Sequence, residues 1–231
     1  MPLFDPLYLV FAAPGLILAL WASFKTKSTF SKYAKVTTRY GYSGAEAAGT
    51  LLSMSGIHDV KIEETSGFLS DHYDPRSKTL RLSPDVYESH SLAAIGVACH
   101  EAGHAIQHAK GYAMLHIRSA LVPATNISSW LSYIVIMLGF VMASPKFILA
   151  GAFIFSATVL FSLVTLPVEW DASRRAKLLM VDAGIVRNDE APYAAKVLDA
   201  AFLTYVAAAV SSLLTLAYYL MRAGVFGNRN D

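Results

Sequence analysis

The 231-residue chain has a single cysteine, Cys99, and few charged residues. One thiol cannot form an intrachain disulfide, which excludes a disulfide-stapled secreted fold. Charged residues make up 16% and hydrophobic residues 55% of the chain, against roughly 25% and 45–50% in soluble globular domains. The net charge is only +2, and no basic run is interleaved with aromatic residues, so we expect no nucleic-acid partner. This shortage of charge favours a membrane protein.

Four apolar runs are each long enough to cross a bilayer. Each lacks Asp, Glu, Lys and Arg for about 17 residues or more, close to the length needed to span a hydrocarbon core of roughly 30 Å. The runs cover residues 7–24, 121–143, 147–168 and 201–221. Pro123 and Asn126 weaken the start of the second run. We therefore predict four transmembrane helices at these positions, with the lipid bilayer as a partner.

The basic residues predict the orientation of these helices. Lys and Arg number 11 in residues 25–118 and 5 in residues 169–199, so sixteen of the nineteen fall on one side if the runs alternate. The remaining three are Lys146, Arg222 and Arg229. The positive-inside rule then places both polar segments in the cytoplasm. The basic residues also follow the first run instead of preceding it. That order predicts an uncleaved anchor with its N-terminus outside, in a multi-pass protein of the inner (cytoplasmic) cell membrane.

The first polar segment, residues 25–118, contains local signals for helices and strands. Residues 43–56 are predicted to be helical, with a capping box at its start and Gly56 after its end. The stretches "DVKIEE" and "KTLRLS" alternate apolar and polar residues, as strands do. With the turn-rich "DHYDPRSK" between them, they predict a small antiparallel sheet. A further helix should begin at Ser83-Pro84-Asp85, and another should run from Ser91 to Gly111.

The helix that begins at Ser91 carries the sequence "GVACHEAGHAIQHAKG" (96–111), in which His100, Glu101 and His104 match H-E-x-x-H. Residues four apart share one face of a helix, so both imidazoles can reach the same zinc ion. Glu101 lies about 100° round the helix from His100 and can act as a general base on a water that zinc makes more acidic. The competing interpretation is a pair of buried histidines that only form hydrogen bonds.

His108 continues the same row but is not predicted to be a ligand. It lies about 12 Å along the helix axis from His100, too far to close on one ion. A metzincin would need glycine and histidine at the positions of Gln107 and Lys110, so that class is excluded. Cys99 is expected to be a small buried residue behind the site.

Glu169 is the leading candidate for a third zinc ligand. It directly follows the third apolar run, 65 residues after His104, and a carboxylate at a membrane boundary is costly unless it has a partner. Asp171 could orient an imidazole from the second coordination layer. The alternatives are an ion pair between Glu169 and Arg174 or Arg175, and for Asp171 a simple charge near the start of a helix.

The stretch "LSDHYDPRSKTLRLSPDVYESHSLAAIGVACHEAGHAIQHAKGY" together with "LPVEWDASRRA" resembles the YugP-type neutral zinc metallopeptidases, which are bacterial integral-membrane proteins. These are similar in layout to the HtpX-type membrane proteases. The resemblance covers nearly the whole chain and implies that His100, His104 and Glu169 bind zinc and that Glu101 is the catalytic base. HtpX-type enzymes carry an aspartate four residues after the third ligand. Here Ser173 occupies that position, so the role of Asp171 does not carry over directly.

Together these features predict a mainly α integral membrane protein with about four transmembrane helices and a cytoplasmic zincin-like, gluzincin-type metalloprotease domain. It would bind one Zn²⁺ per chain and hydrolyse peptide bonds of membrane or membrane-proximal polypeptides. The strand "KTLRLS" is expected to offer a free edge to which an extended substrate adds. The sequence sets neither the natural substrate nor the oligomeric state.

Two other functions compete with this one. A site-2-type intramembrane protease would carry H-E-x-x-H inside a transmembrane run, and an Asp in a second run. Charged residues flank the motif here, and none of the four runs contains Asp. A non-catalytic zinc-binding membrane scaffold would normally close its site with four protein ligands, and only three are evident.

Overall fold

The computed structural model describes residues 5–67 and 70–226; Arg229, used above to predict orientation, lies outside them. Within these ranges the chain forms seven helices and three strands. In chain order they are α1 (Pro6–Tyr33), α2 (Gly44–Met54), β1 (Lys61–Glu64), β2 (His72–Asp74), β3 (Thr79–Leu82), α3 (Pro84–Tyr87), α4 (Leu92–Ala109), α5 (Ala113–Val141), α6 (Pro145–Asp182) and α7 (Ala191–Arg222).

The chain divides into two compact units. The first consists of Met1–Ala22, Ile117–Pro167 and Thr204–Asp231, and the second of Ser23–His116 and Val168–Leu203. The four long helices α1, α5, α6 and α7 contribute residues to both units. The motif helix α4 lies wholly in the second.

Among the described residues, four helices are long and apolar enough to cross a membrane, namely α1, α5, α6 and α7. Each is longer than the apolar run that predicted it. Pro123 lies inside α5 without ending it, as membrane helices often allow because neighbouring groups compensate for the lost hydrogen bond. Helix α6 has 38 residues, so it continues well past the apolar run that ends at Val168.

The first unit has the features of a helical membrane bundle. Large apolar side chains are exposed on it, among them Val10 (66%) and Phe153 (79%), which suits contact with lipid. Small residues allow helices to approach closely. A Cβ added at Gly139 of α5 would lie only 2.7 Å from Ile148 of α6.

The sheet in the second unit is mixed, which corrects the prediction of an antiparallel sheet. Its strand order is β1-β3-β2. Strands β2 and β3 form an antiparallel hairpin across the Pro75–Lys78 turn, whereas β1 runs parallel to β3 on its other side. The prediction failed because the stretch "DHYDPRSK", interpreted as a turn alone, contains strand β2. The direction of β3 is therefore reversed relative to β2, and so matches that of β1.

This topology also corrects the prediction that "KTLRLS" offers a free edge. Strand β3 lies at the centre of the sheet and pairs with a neighbour on each side. It is the most buried of the three strands, with Leu80 and Leu82 at 0% exposure. Its backbone groups are used within the sheet, so β3 cannot accept an added strand.

The structure confirms the predicted start signals of helices α2, α3 and α4. Ser43 and Glu46 form a capping box at the start of α2, and Gly56 after its end has a φ of +73°. The Ser91 side chain accepts a hydrogen bond from the Ala94 backbone N–H at the start of α4. Helix α3 begins at Pro84 as predicted, but has only four residues.

Candidate metal centre

Helix α4 carries His100, Glu101 and His104 and runs through the core of the second unit. Its small residues let neighbouring elements pack closely, and most of its length is buried. His104 and Glu101 are each 8% exposed. The imidazole rings of His100 and His104 lie edge to face, with centroids 4.7 Å apart. The helical spacing thus places both rings on one side of α4.

Helix α6 brings Glu169 to these histidines. Its Oε2 lies 3.2 Å from His100 Nε2 and 3.5 Å from His104 Nε2, and Glu169 is 1% exposed. The competing prediction paired Glu169 with Arg174 or Arg175. Instead Arg175 pairs with Asp171, and both histidines face Glu169.

The donor set of these three residues fits a zinc ion. Two imidazole nitrogens and one carboxylate oxygen lie within 4.8 Å of one another, so the group could hold a metal ion. Ligands of a tetrahedral zinc ion at about 2.0–2.2 Å from the metal are roughly 3.4 Å apart. The distances of 3.2 and 3.5 Å from Glu169 to the two histidines match that spacing. Three protein ligands also leave the fourth position open, as in catalytic zinc sites.

Gln107, whose part in the site the sequence did not reveal, fixes the orientation of His104. It is the only glutamine of the chain and is fully buried. Its Nε2 donates to the Val168 carbonyl at 2.8 Å and to Asp171 Oδ2 at 2.9 Å. Because the NH₂ group is thereby identified, Oε1 is the atom that faces His104 Nδ1, 3.0 Å away. His104 Nδ1 must then carry the proton, and Nε2 presents its lone pair to a metal.

Asp171 contacts Gln107, and it reaches the imidazole of His104 only through that residue. Its Oδ2 accepts from Gln107 and from Arg175 Nε, one helical turn along α6. Arg175 in turn lies over the Tyr112 ring, 5.9 Å from its centroid. The carboxylate therefore holds the glutamine, which in turn holds His104.

Ser173 performs the matching role for His100. Its Oγ lies 3.1 Å from His100 Nδ1, and a hydroxyl can accept a hydrogen bond from a protonated Nδ1. Ser173 stands four residues after Glu169, one turn along α6, so the two side chains face the same way. The signal for this contact was available in the sequence, since this is the position that an aspartate occupies in HtpX-type proteins.

Gly103 allows α4 and α6 to approach closely at the site. A Cβ at this position would lie 2.7 Å from the Ala172 carbonyl oxygen, closer than ordinary packing allows. The glycine lies between His100 and His104 in the chain, and Ala172 lies between Asp171 and Ser173. The absence of a side chain at Gly103 therefore lets the histidines reach the groups that α6 supplies.

The electrostatics of the site couple His104 to the two acidic residues. Burial opposes its protonation, but hydrogen bonds to Glu169 and the charges of Glu169 and Glu101 outweigh burial, and the pKa of His104 rises to about 8. Cys99 is fully buried, as predicted. Burial raises the pKa of its thiol to about 12, so the thiol stays neutral.

His108 lies apart from the three clustered residues. Its Nδ1 is 2.8 Å from the Tyr73 hydroxyl, and its ring packs against His116 with centroids 5.8 Å apart. Burial and the nearby charges of His116 and Lys78 lower the pKa of His108. His108 therefore connects α4 to strand β2. The group that could hold a metal ion includes only the other two histidines of the helix, His100 and His104.

Comparisons with known proteins show the family to which the chain belongs. Residues 8–224 match the family described as "Putative neutral zinc metallopeptidase", and the chain belongs to this family of neutral zinc metallopeptidases. It is similar to the "Putative membrane protease YugP" of Bacillus subtilis (strain 168), with 44% identity over 225 residues that cover 97% of this chain and 98% of the relative. No solved protein structure matches the chain.

Proposed function

We propose that this protein is a zinc-dependent endopeptidase of the cytoplasmic membrane that binds one zinc ion through His100, His104 and Glu169. The observation that carries the proposal is the spacing of these three donors around one point, with each histidine held at Nδ1 by a neighbour. When bound, the ion would supply Lewis acidity for a peptide carbonyl and for a water molecule.

Glu101 would then transfer the proton, and three other side chains would orient the zinc ligands. Glu101 follows His100 directly on α4, and its charge already acts on His104. Its carboxylate would take a proton from the attacking water and deliver it to the leaving amine. Gln107 and Ser173 would keep both imidazoles in the tautomer that leaves Nε2 free. Asp171 acts as the second-layer residue by holding Gln107.

The substrate would be a membrane or membrane-proximal polypeptide. Glu169 follows the apolar run 147–168 at once, on the same continuous helix, so its ligand position is tied to the end of a membrane span. The basic residues favour a cytoplasmic site and an outside N-terminus. Helix α4, which carries H-E-x-x-H, is not among the four candidate spans of the described residues. That favours a site outside the bilayer over an intramembrane one.

Two variants test this function. Glu101→Gln keeps the size of the side chain but removes its basicity. It should bind zinc as the wild type does, and its cleavage of labelled casein should fall about 10²–10⁴-fold. Glu169→Ala should lose stoichiometric zinc, measured by elemental analysis of the purified protein. Normal cleavage by Glu101→Gln would refute the general-base role, and full zinc in Glu169→Ala would refute the ligand assignment. Comparing membrane proteomes of cells with wild type and Glu101→Gln should then identify the natural substrate.

A further inference from the structure

A cavity of about 630 Å³ in the second unit lies between α1 and α7, and its wall includes three lysines and three hydroxyl-bearing residues. Four of its residues, Lys25, Ser28, Thr29 and Lys32, follow the i, i+3, i+4, i+7 pattern of one helix face. Helix α7 contributes Lys196, Asp199, Ala200 and Leu203. The volume falls in the range of ligand-binding pockets, roughly 300–1,000 Å³.

The charge of this lysine pocket is positive. Lys25, Lys32 and Lys196 form no ion pair with a carboxylate in the part of the chain that the structure describes. The one acidic residue of the wall, Asp199, is engaged by Lys177 of α6. Three lysines therefore line a cavity in which the one lining carboxylate already has a partner.

The walls of the pocket are fixed by contacts between α1 and α7. The Tyr33 and Tyr193 rings stack with centroids 5.6 Å apart, and the Thr26 hydroxyl donates to the Ala200 carbonyl at 2.9 Å. Lys32 Nζ lies 5.4 Å from the Tyr33 ring, and Lys196 Nζ lies 5.4 Å from the Tyr193 ring. One ammonium group from each helix thus lies near a ring of the stacked tyrosine pair.

The position of the pocket along the chain matches the level of lipid headgroups. Lys25 is the first residue after the apolar run 7–24, and Leu203 belongs to the run 201–221. Apolar residues at such run ends face acyl chains, while lysines one to two turns further on reach the headgroup region. Basic pockets between transmembrane helices on the cytoplasmic side are suited to anionic lipid headgroups.

We propose that the lysine pocket binds the phosphate headgroup of an anionic phospholipid. This site is separate from the zinc centre and does not depend on the proposed peptidase activity. Lys32 and Lys196 would contact the phosphate oxygens from opposite helices, and Thr29 would add a hydroxyl donor. The bound lipid would thereby link α1 to α7.

The test is native mass spectrometry of the full-length protein in detergent, titrated with phosphatidylglycerol, phosphatidylethanolamine or inorganic phosphate. We expect one tightly bound phosphatidylglycerol, weakened about tenfold or more in Lys32→Ala/Lys196→Ala. The matched control, Lys27→Ala/Lys35→Ala, removes the same charge nearby but outside the pocket and should bind as the wild type does. Lys32→Arg/Lys196→Arg should also retain the lipid. If the double alanine variant does not fold, Lys25→Glu should show the same loss, because it reverses one charge of the same pocket.

Several results would overturn the proposal. Equal losses in the pocket and control variants would indicate general surface charge instead of a site. Equal binding of phosphatidylethanolamine and phosphatidylglycerol would show that the pocket does not select anionic lipid. Displacement of the lipid by an equal concentration of inorganic phosphate would identify free phosphate as the ligand. Displacement by a glutamate-rich peptide that binds more tightly than the lipid would indicate an acidic protein segment.

Discussion

Gln107 Nε2 donates a hydrogen bond to Asp171 Oδ2 at 2.9 Å, and this bond links helix α4 to helix α6 behind the candidate metal centre. Together with the bond to the Val168 carbonyl, it determines which end of the glutamine amide faces His104. The neutral amide of Gln107 thus contacts the His104 imidazole directly. In many zinc sites a carboxylate occupies this position.

Gln107→Ala should weaken zinc binding about 10–100-fold, because His104 would lose the acceptor that fixes its tautomer. Zinc affinity would be measured by competition with a chelator of known strength. Asp171→Asn should cost less, because an asparagine oxygen can still accept from Gln107. Equal affinities in wild type and Gln107→Ala would show that the glutamine has no part in orienting the ligand.

Gly103→Ala should destabilise the protein by about 1–3 kcal/mol, as overpacking of a close helix contact does. The new Cβ would lie 2.7 Å from the Ala172 carbonyl oxygen, so α4 and α6 must separate and zinc affinity should fall as well. Gly49→Ala in α2 is the control, since its Cβ would meet only Ile62 Cδ1 at 3.6 Å. Thermal unfolding in detergent and zinc content measure both effects. Similar behaviour of the two variants would contradict the close approach.

Zinc affinity should decrease as the pH falls below about 8. The pKa of His104 is raised to about 8 in the metal-free protein, so below that value zinc must displace a proton, and above it the imidazole is already neutral. One competing proton predicts a loss of about tenfold per pH unit between about pH 7.5 and 6. Chelator competition across this range measures it, and a flat profile would contradict the prediction.

The metal-free protein should show the opposite trend in stability. A pKa raised from 6.5 to about 8 in the folded state means that the protonated imidazole stabilises the fold. This contribution is complete below about pH 6.5 and is lost as the pH rises through about 8. The unfolding midpoint of zinc-stripped protein should therefore fall over that interval. Glu169→Gln, which removes the charged partner, should reduce the fall.

The orientation of the chain can be tested with single introduced cysteines, because the native Cys99 is fully buried and should give little background. Lys146→Cys, in the exposed first turn of α6, should react with a membrane-impermeant maleimide in intact spheroplasts. Asn188→Cys, in the exposed turn between α6 and α7, should react only after permeabilisation. The reverse pattern would overturn the predicted cytoplasmic location of the site.

The parts of the site that could be predicted from sequence are those set by local helical geometry or by the end of an apolar run. The spacing of His100 and His104 determines that they share a face, and the position of Glu169 after residues 147–168 made it the leading partner. The three donors lie within 4.8 Å of one another and could hold a metal ion. The partners of Gln107, in contrast, lie more than 60 residues away along the chain, and no local pattern reveals such a contact.

The sheet was predicted incorrectly for a similar reason. Strand β2 has only three residues and lies in a stretch rich in turn-forming residues, so its pattern is too short to distinguish it from a loop. Once β2 is overlooked, the direction of β1 relative to β3 is also wrong. Strand order depends on which segments pair, and pairing is decided by contacts that the alternation of side chains does not encode.

Helix α6 carries both the third apolar run and Glu169, and this has a consequence for the biogenesis of the protein. Under the proposed ligand set, a nascent chain that has released residues 25–118 already holds His100, Glu101 and His104 but lacks the third donor. The proposed metal centre can become complete only after the ribosome has synthesised the apolar part of α6 and Glu169 behind it. Under the proposed function, synthesis of the third span would therefore precede any peptidase activity of the chain.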